Sequence, residues 1–304
     1  MRAALATRPG LAPDTLGLLY GFVAVLIFSM TMPLTRLAVA ELDPAFVALG
    51  RALVAALLSA VWLLIVRAPL PPRNTWRPLA LIAGGCVIGF PWLTSIAMHS
   101  LPASHGAILI GVLPLATAVL VTLSGRERPG RRFWIFALLG SLLVVGFALF
   151  QGGGSLHAAD LLLLGGVLLA ATGYAEGGRL SSTMGGEQVI CWALVLSAPF
   201  ALTALLWQLG PAWQPHASAA AWASFAYVSV FSMFLGFFFW YRGMALGGVA
   251  RVGQVQLLQP FFSLLGAAVL LGERLQPVHA LFALGVIATV AAGRRAQVRR
   301  PGVK

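Results

Sequence analysis

One sequence pattern occurs twice in this chain, at positions 146 residues apart. Pro114 is followed after thirteen and fourteen residues by Glu127-Arg128, and Pro260 is followed at the same separations by Glu273-Arg274. The same offset matches three more pairs: Thr117 with Ser263, Met98 with Met244, and residues 136–138 with residues 282–284, both Phe-Ala-Leu. Each copy is set in apolar sequence of membrane-spanning length. The chain therefore consists of two related membrane units.

The composition excludes an ordinary soluble domain. Hydrophobic residues make up 60% of the chain and charged residues only 9%, whereas soluble domains carry roughly 25% charged residues. A length of 304 residues accommodates about ten spans when each receives ~20 residues and a short connection. We therefore expect an integral membrane protein with no soluble catalytic domain.

Uncharged apolar stretches bounded by charge, proline or glycine predict ten spans. They are too long and too continuously apolar for barrel strands, so each is predicted to be a helix that satisfies its own backbone. The predicted spans lie near residues 16–38, 44–66, 78–98, 104–124, 133–150, 160–180, 188–208, 218–242, 249–271 and 278–294.

The arginines predict the orientation of these spans. They concentrate in alternate connections and in both tails, which the positive-inside rule assigns to the cytoplasm. Both termini are then inside, and because five is odd, the second unit is inverted relative to the first. We predict an all-α membrane fold of ten helices in two inverted five-helix repeats. Its parts are a cytoplasmic tail at 1–15, a first unit at 16–150, a second unit at 160–294 and a basic cytoplasmic tail at 295–304.

Several partners and activities are excluded by what the sequence lacks. The +12 charge follows membrane topology, so we expect no nucleic acid. Cys86 and Cys191 lie in apolar sequence without a CxxC motif, so we expect no metal and no cofactor. No catalytic or nucleotide-binding motif occurs, which argues against an enzyme and against ATP-driven pumping. The expected partners are the lipid bilayer and a small-molecule substrate; the oligomeric state is not predicted.

Several motifs resemble one known family. Asp43-Pro44 leads to Arg51 in the second predicted span, and Tyr174-Ala175 lies in the sixth. Pro260 is followed by Leu-Gly-Glu-Arg-Leu at residues 271–275 and by a glycine-containing last span. Over residues 16–294 the chain resembles the EamA family of the drug/metabolite transporter superfamily. Two positions depart from the family pattern: residues 28–29 are Phe-Ser where many members have Trp-Gly, and Arg126 is inserted before Glu127.

The resemblance implies a secondary transporter of the bacterial inner membrane that works by alternating access. Members of this family mostly export amino acids or related small metabolites, and a drug or cation efflux carrier of the same fold is the alternative. An integral-membrane enzyme without a recognisable motif is a further alternative. Nearly exclusive use of arginine over lysine also favours a bacterial source.

Matching prolines predict a symmetric hinge. Pro114 and Pro260 lie near the middle of their spans, and each leaves the carbonyl four residues earlier without its helical partner. Thr117 and Ser263 follow one turn later and are candidates for contacts with neighbouring helices or with substrate. The alternative is a static kink that neighbouring groups repair.

Three glutamines in the ninth predicted span are candidate cavity residues. Gln256 and Gln259 are three residues apart and share a helix face, and Gln254 lies close by. Amides on this face suit a polar or zwitterionic substrate; the alternative is hydrogen bonding between helices. The aromatic candidates for the same cavity are Trp92, Tyr174 and Tyr241, with packing or interfacial anchoring as their alternative.

Ionisable residues in the spans are candidates for coupling or binding. Glu176 is a coupling candidate, although Arg179 lies three residues on and predicts a structural pair. His99 is the second coupling candidate, with a solvated interfacial histidine as the alternative. Arg36 and Arg51 lie toward the outer ends of spans one and two, near Glu41 and Asp43. They are expected either to snorkel or pair with these acids, or to face the cavity and hold a carboxylate substrate.

Overall fold

A computed structural model describes residues 12–100, 112–151, 158–209, 217–272, 276–293 and 298–299. The repeated Glu273-Arg274 and the carbonyl of Ile110 lie outside these ranges. Nearly all described residues are helical, and two short strands, β1 (Arg128–Pro129) and β2 (Val298–Arg299), pair antiparallel.

The described residues of the first repeat form seven α-helices. A 3-10 turn at Arg73–Thr75 precedes the fourth, and a π-helical segment at Ala83–Gly89 separates the fourth from the fifth. The helices are α1 (Pro13–Ser29), α2 (Thr31–Val39), α3 (Pro44–Ile65), α4 (Trp76–Ile82), α5 (Phe90–Ser100), α6 (Leu113–Leu123) and α7 (Arg131–Gln151).

Seven α-helices are also found in the described ranges of the second repeat. A π-helical segment at Val228–Leu235 and a 3-10 segment at Gln254–Leu258 interrupt it. The helices are α8 (Ala158–Met184), α9 (Gly186–Leu209), α10 (Ala219–Tyr227), α11 (Gly236–Gly247), α12 (Val249–Gly253), α13 (Gln259–Leu271) and α14 (Pro277–Gly293).

Seven helical stretches in the described residues are long and apolar enough to cross a membrane: Pro13–Val39, Pro44–Ile65, Arg73–Ser100, Ala159–Met184, Gly186–Gln208, Ala219–Gly247 and Val249–Leu270. Two shorter apolar helices, α6 and α14, stand where two further spans are predicted. The protein is thus an all-helical membrane protein, and the count of ten spans stays a prediction.

Several predicted spans are broken rather than continuous. The first is interrupted at Met30, because Pro33 has no N–H to offer the carbonyl of Ser29. The third and eighth contain the two π segments. These segments begin at Ala83 and Val228 and end at Gly89 and Leu235, so they overlap almost completely at the 146-residue offset. The symmetry seen in the sequence therefore extends to an unusual backbone conformation.

The main helix contacts cross from one repeat to the other. Helix α1 packs on α11, and its equivalent α8 packs on α5 and on the π segment beside it. Helix α3 packs on α9, and α7 packs on α14. In each of these two pairs, the helices occupy equivalent positions in the two repeats. This exchange is what a two-fold relation between the repeats requires.

One end of the bundle collects arginines and their partners. Glu176 binds Arg179 here, Arg251 of α12 pairs with Asp14 of α1, and the strand pair joins the loop before α7 to residues 298–299. The opposite end carries acidic side chains: Asp43 caps α3 through the N–H groups of residues 45 and 46.

A hydrogen-bonded clasp joins the repeats at this opposite end. The backbone N–H and the hydroxyl of Ser218, which caps α10, both donate to the carboxylate of Glu41 at 2.7 Å. These two hydrogen bonds hold the pKa of Glu41 below its usual range, because they stabilise the ionised carboxylate.

Alanine at Gly17 is expected to destabilise the protein, because its Cβ would lie 2.4 Å from the backbone nitrogen of Gly247. Backbone cannot rotate away, so we expect a cost of about 1–3 kcal/mol and a lower Tm by intrinsic fluorescence in detergent. The matched control is Gly146→Ala, since nothing lies within 4 Å of that Cβ; its Tm should match or exceed that of wild type. Equal Tm values for the two variants would contradict the close approach of α1 and α11.

Candidate functional site

A small cavity lies at the centre of the bundle, between the two repeats. Its volume is about 30 Å³, enough for one or two water molecules. Both repeats contribute to its wall: Phe28, Thr31, Met32, Arg51, Cys86 and Phe90 come from the first, and Ala170, Tyr174, Ser232, Phe237, Gln256 and Gln259 come from the second.

Two pairs of wall residues are related by the repeat. Phe28 corresponds to Tyr174, and Cys86 corresponds to Ser232, each at the 146-residue offset. Cys86 and Ser232 both lie in the π segments, which are frequent at functional sites. In each pair the second repeat supplies the more polar side chain.

The break in the first span releases backbone carbonyls beside the cavity, and the second repeat satisfies them. The hydroxyl of Ser263 donates to the carbonyl of Ser29 at 2.7 Å. The side-chain amide of Gln259 donates to the carbonyl of Phe28 at 3.4 Å, and the hydroxyl of Tyr227 donates to that of Ile27 at 3.2 Å. Three side chains of the second repeat thus hold the broken helix of the first.

The break at Pro260 is repaired differently. Pro260 has no N–H for the carbonyl of Gln256, as the sequence predicts, but the backbone N–H of Gln259 binds this carbonyl in a 3-10 turn. The Gln256 amide donates to Gln259 Oε1 at 3.2 Å, and Gln256 Oε1 is buried without a hydrogen-bond partner among the described residues. Both side chains line the cavity, where the sequence places them.

Arg51 is the charged residue of the cavity wall, with 4% of its surface exposed. Its Nη2 donates to Ser232 Oγ at 3.3 Å, and Ser232 in turn lies 2.8 Å from Thr31 Oγ1. Its Nε has no acceptor in the described structure. Of the two roles left open for Arg51, the structure therefore matches the one that faces the cavity.

Arg36 lies elsewhere, with its Nη1 on the carbonyl of Met98 at 3.0 Å. It does not line the cavity. Glu41 and Asp43, the acids near these arginines in the sequence, bind Ser218 and the first N–H groups of α3.

Other predicted cavity residues lie outside the wall. Thr117 donates to the carbonyl of Leu113 in its own helix at 2.9 Å, so the pair of Thr117 and Ser263 is not functionally symmetric. Tyr241 is fully buried behind the wall and donates to the carbonyl of Gly173 at 3.1 Å. The remaining predicted residues that do not line the cavity are Ser263, Gln254, Trp92 and the hinge residues Pro114 and Pro260.

A larger cavity of about 480 Å³ opens at the arginine-rich end; we call it the vestibule. Arg126 and Arg179 line it, and both bind Glu176, at 2.7 Å and 2.9 Å. Arg126 comes from the first repeat and Glu176 from the second, so this pair ties the repeats together. The inserted Arg126 was visible in the sequence, but its partner was not.

Glu127 also lines the vestibule and has a structural role that the sequence did not reveal. Its two carboxylate oxygens accept the backbone N–H groups of Val249 and Ala250, each at 2.9 Å. These are the first N–H groups of α12, where a negative charge is favoured. The one sequence signal for such a role was that the glutamate recurs at the equivalent position of the second repeat, as Glu273.

The coupling candidates occupy different environments. Glu176 is half-buried in its ion pairs, whereas His99 is exposed at the end of α5. Within the described ranges, no three His, Cys, Asp or Glu side chains come together to hold a metal ion.

A membrane fold of two related repeats with a cavity lined by both is typical of a multi-pass membrane transporter. The sequence model of the EamA-like transporter family matches the chain twice, over residues 15–149 and 157–292. The chain therefore belongs to the EamA family, and with it to the drug/metabolite transporter superfamily.

Two bacterial relatives support this assignment, and one solved structure shares the fold. The chain is 48% identical over 281 residues to "Uncharacterized transporter YdeK" of Bacillus subtilis (strain 168), covering 92% of this chain and 98% of the relative. It is 32% identical over 300 residues to "Uncharacterized protein PA1977" of Pseudomonas aeruginosa (95% and 99% covered). A crystal structure matches with a TM-score of 0.76 at 17% identity, covering 92% of this chain and 98% of the other, and shows the same fold.

Removing the hydroxyl of Ser263 is expected to lower the Tm, whereas removing that of Thr117 is not. Ser263→Ala leaves the Ser29 carbonyl unpaired in a buried site, a cost of about 1–3 kcal/mol. Thr117→Val deletes only a hydroxyl bonded within its own helix. Thermal unfolding of both proteins in one detergent measures the difference. Equal losses would show that the inter-repeat hydrogen bond contributes nothing specific.

Proposed function

We propose that this protein is a secondary carrier that exports amino acids or related small metabolites by alternating access between its inverted repeats. The observation that carries the proposal is a small cavity between the repeats, at the point where two helices are broken. Broken helices near the membrane centre are typical of carrier binding sites. A cavity of about 30 Å³ corresponds to a closed conformation, which must widen to admit a substrate.

The route to the cavity follows one face of α8. Ala170 and Tyr174 line the cavity, and Gly178 and Ser182 line the vestibule. These four residues are spaced by four and form a continuous stripe along the helix. We assign the arginine-rich end to the cytoplasm by the positive-inside rule, which puts both termini inside. The vestibule is then the cytoplasmic mouth of an export route.

The cavity favours a polar metabolite over a cation. Gln256, Gln259 and Thr31 offer neutral hydrogen-bonding groups, and Phe28 and Phe237 supply aromatic surface. Arg51 places a positive charge in the wall, and this charge repels cations. The drug or cation carrier is therefore the weaker alternative.

Movement between the two conformations is proposed to use the breaks as hinges. Pro114 and Pro260 mark equivalent positions, and on the second repeat the chain changes from 3-10 to α-helix at Gln259. The ion pair of Arg126 with Glu176 crosses the repeats at the vestibule, so opening this mouth requires the pair to break. Glu176 is thus the candidate that links protonation to opening, and His99, which is exposed at the end of α5, is the weaker candidate and serves as its control.

The proposed location is a bacterial inner membrane, consistent with bacterial relatives of matching length. The two repeats span it with the vestibule facing the cytoplasm.

Purified protein in proteoliposomes is expected to show saturable efflux of at least one member of a labelled amino-acid panel. If protons are the coupling ion, an imposed pH gradient will accelerate this flux. Glu176→Gln should then abolish the acceleration while His99→Gln retains it, since only Glu176 lies at the inter-repeat ion pair. If no panel member leaves the proteoliposomes faster than it leaves empty liposomes, the proposed function is wrong.

Pro260→Ala is expected to reduce flux several-fold without lowering the Tm. Alanine restores an N–H to the carbonyl of Gln256 and favours a continuous helix in place of the 3-10 break. The control is Pro199→Ala, because Pro199 lies inside α9 and is exposed on the lipid side, away from the cavity. Unchanged flux in Pro260→Ala, or an equal loss in the control, would remove the hinge.

A further inference from the structure

Arg51 is a buried cation for which the described structure provides no anion. Seven of the eight carboxylates of the chain lie in the described residues, and none forms an ion pair with Arg51. Three of them form ion pairs with other arginines: Asp14 with Arg251, Glu176 with Arg126 and Arg179, and Glu187 with Arg242. Three accept hydrogen bonds from other groups: Glu41 binds Ser218, and Asp43 and Glu127 cap helices. The seventh, Asp160, lies in the first turn of α8.

The hydrogen-bonding capacity of Arg51 is largely unused. A guanidinium carries five N–H donors in a planar fork that matches a carboxylate. Arg51 donates one long hydrogen bond to Ser232, and its Nε has no acceptor. A buried charge without a counter-ion is strongly unfavourable. An anionic ligand in the cavity would supply both the missing charge and the missing acceptors.

The neighbours of Arg51 suit the rest of an amino acid. Thr31 and Ser232 present hydroxyls next to the guanidinium. Gln256 contributes to the same wall, and its Oε1 is a buried acceptor without a donor. A cation donor and a carbonyl acceptor in one cavity are complementary to the carboxylate and the ammonium of a zwitterion.

We infer that Arg51 is the anchor of the substrate carboxylate, so that the carrier selects metabolites with a free carboxyl group. This inference rests on the proposed function and names the substrate class of the same cavity. Arg51 comes from the first repeat, while Tyr174, Ser232 and Gln256 come from the second. A bound carboxylate therefore contacts both repeats, which move relative to each other during alternating access.

Paired probes in proteoliposomes test the selection. The pairs are L-leucine with L-leucinamide and L-threonine with L-threoninamide, which differ only in the carboxyl group. Wild type should transport each amino acid at least tenfold faster than its amide. Arg51→Leu should lose this preference, Arg51→Lys should retain part of it, and Arg73→Gln, an exposed arginine, should retain all of it. Equal flux of acid and amide through wild type would be compatible with a carrier but would contradict the role of Arg51 as the carboxylate anchor.

Thermal unfolding in detergent gives a readout that does not depend on flux. The amino-acid probes should raise the Tm of wild type, the amides should not, and Arg51→Leu should show no shift. Without probe, Arg51→Leu should unfold at or above the wild-type temperature, because it removes an unpaired buried charge. A variant that fails to fold or unfolds several degrees lower assigns Arg51 to structure and overturns the inference.

The two measurements separate the two proposals. A carboxylate-dependent Tm shift that requires Arg51, in the absence of flux, supports the anchor and rejects amino-acid export. Absence of both flux and Tm shift with every probe rejects both.

Discussion

Backbone hydrogen bonding inside the membrane is the constraint on which the rest of this structure depends. Lipid offers no partner to a free carbonyl, so a helix can break only where protein groups replace its missing bonds. The carbonyls of Phe28 and Ser29 accept hydrogen bonds from side chains of the second repeat. The carbonyl of Gln256 accepts a hydrogen bond from the backbone N–H of Gln259 in a 3-10 turn. These repairs place polar side chains at the bundle centre, and the cavity forms among them.

The sequence predicted a helical membrane protein of two related repeats because its strongest signals are periodic and local. The offset between Pro114 and Pro260 revealed the repeat, and charge scarcity revealed the membrane. The same offset also relates Phe28 to Tyr174 and Cys86 to Ser232, yet it could not show that these residues share one cavity. Contacts between helices depend on which helix faces meet. In a uniformly apolar helix, the sequence pattern does not show which face is buried.

The cavity residues show the same limit. Gln256, Gln259 and Tyr174 were predicted because polar groups in apolar spans are conspicuous. Thr117 failed to reach the cavity because a threonine hydroxyl can satisfy itself on its own helix. Arg51 was left between two roles, since only the three-dimensional structure shows that the nearby acids Glu41 and Asp43 are engaged elsewhere.

The cavity wall is symmetric in position but not in chemistry. Phe28 and its equivalent Tyr174 both line the wall, as do Cys86 and its equivalent Ser232, whereas the equivalent of Arg51 is Ser197, which lies outside the wall. Two identical subunits would present the same groups twice and would bind an unsymmetrical ligand equally well in two opposite orientations. Joining the halves in one chain allows each to diverge. A ligand with one charged end can then be held in a single orientation throughout its passage.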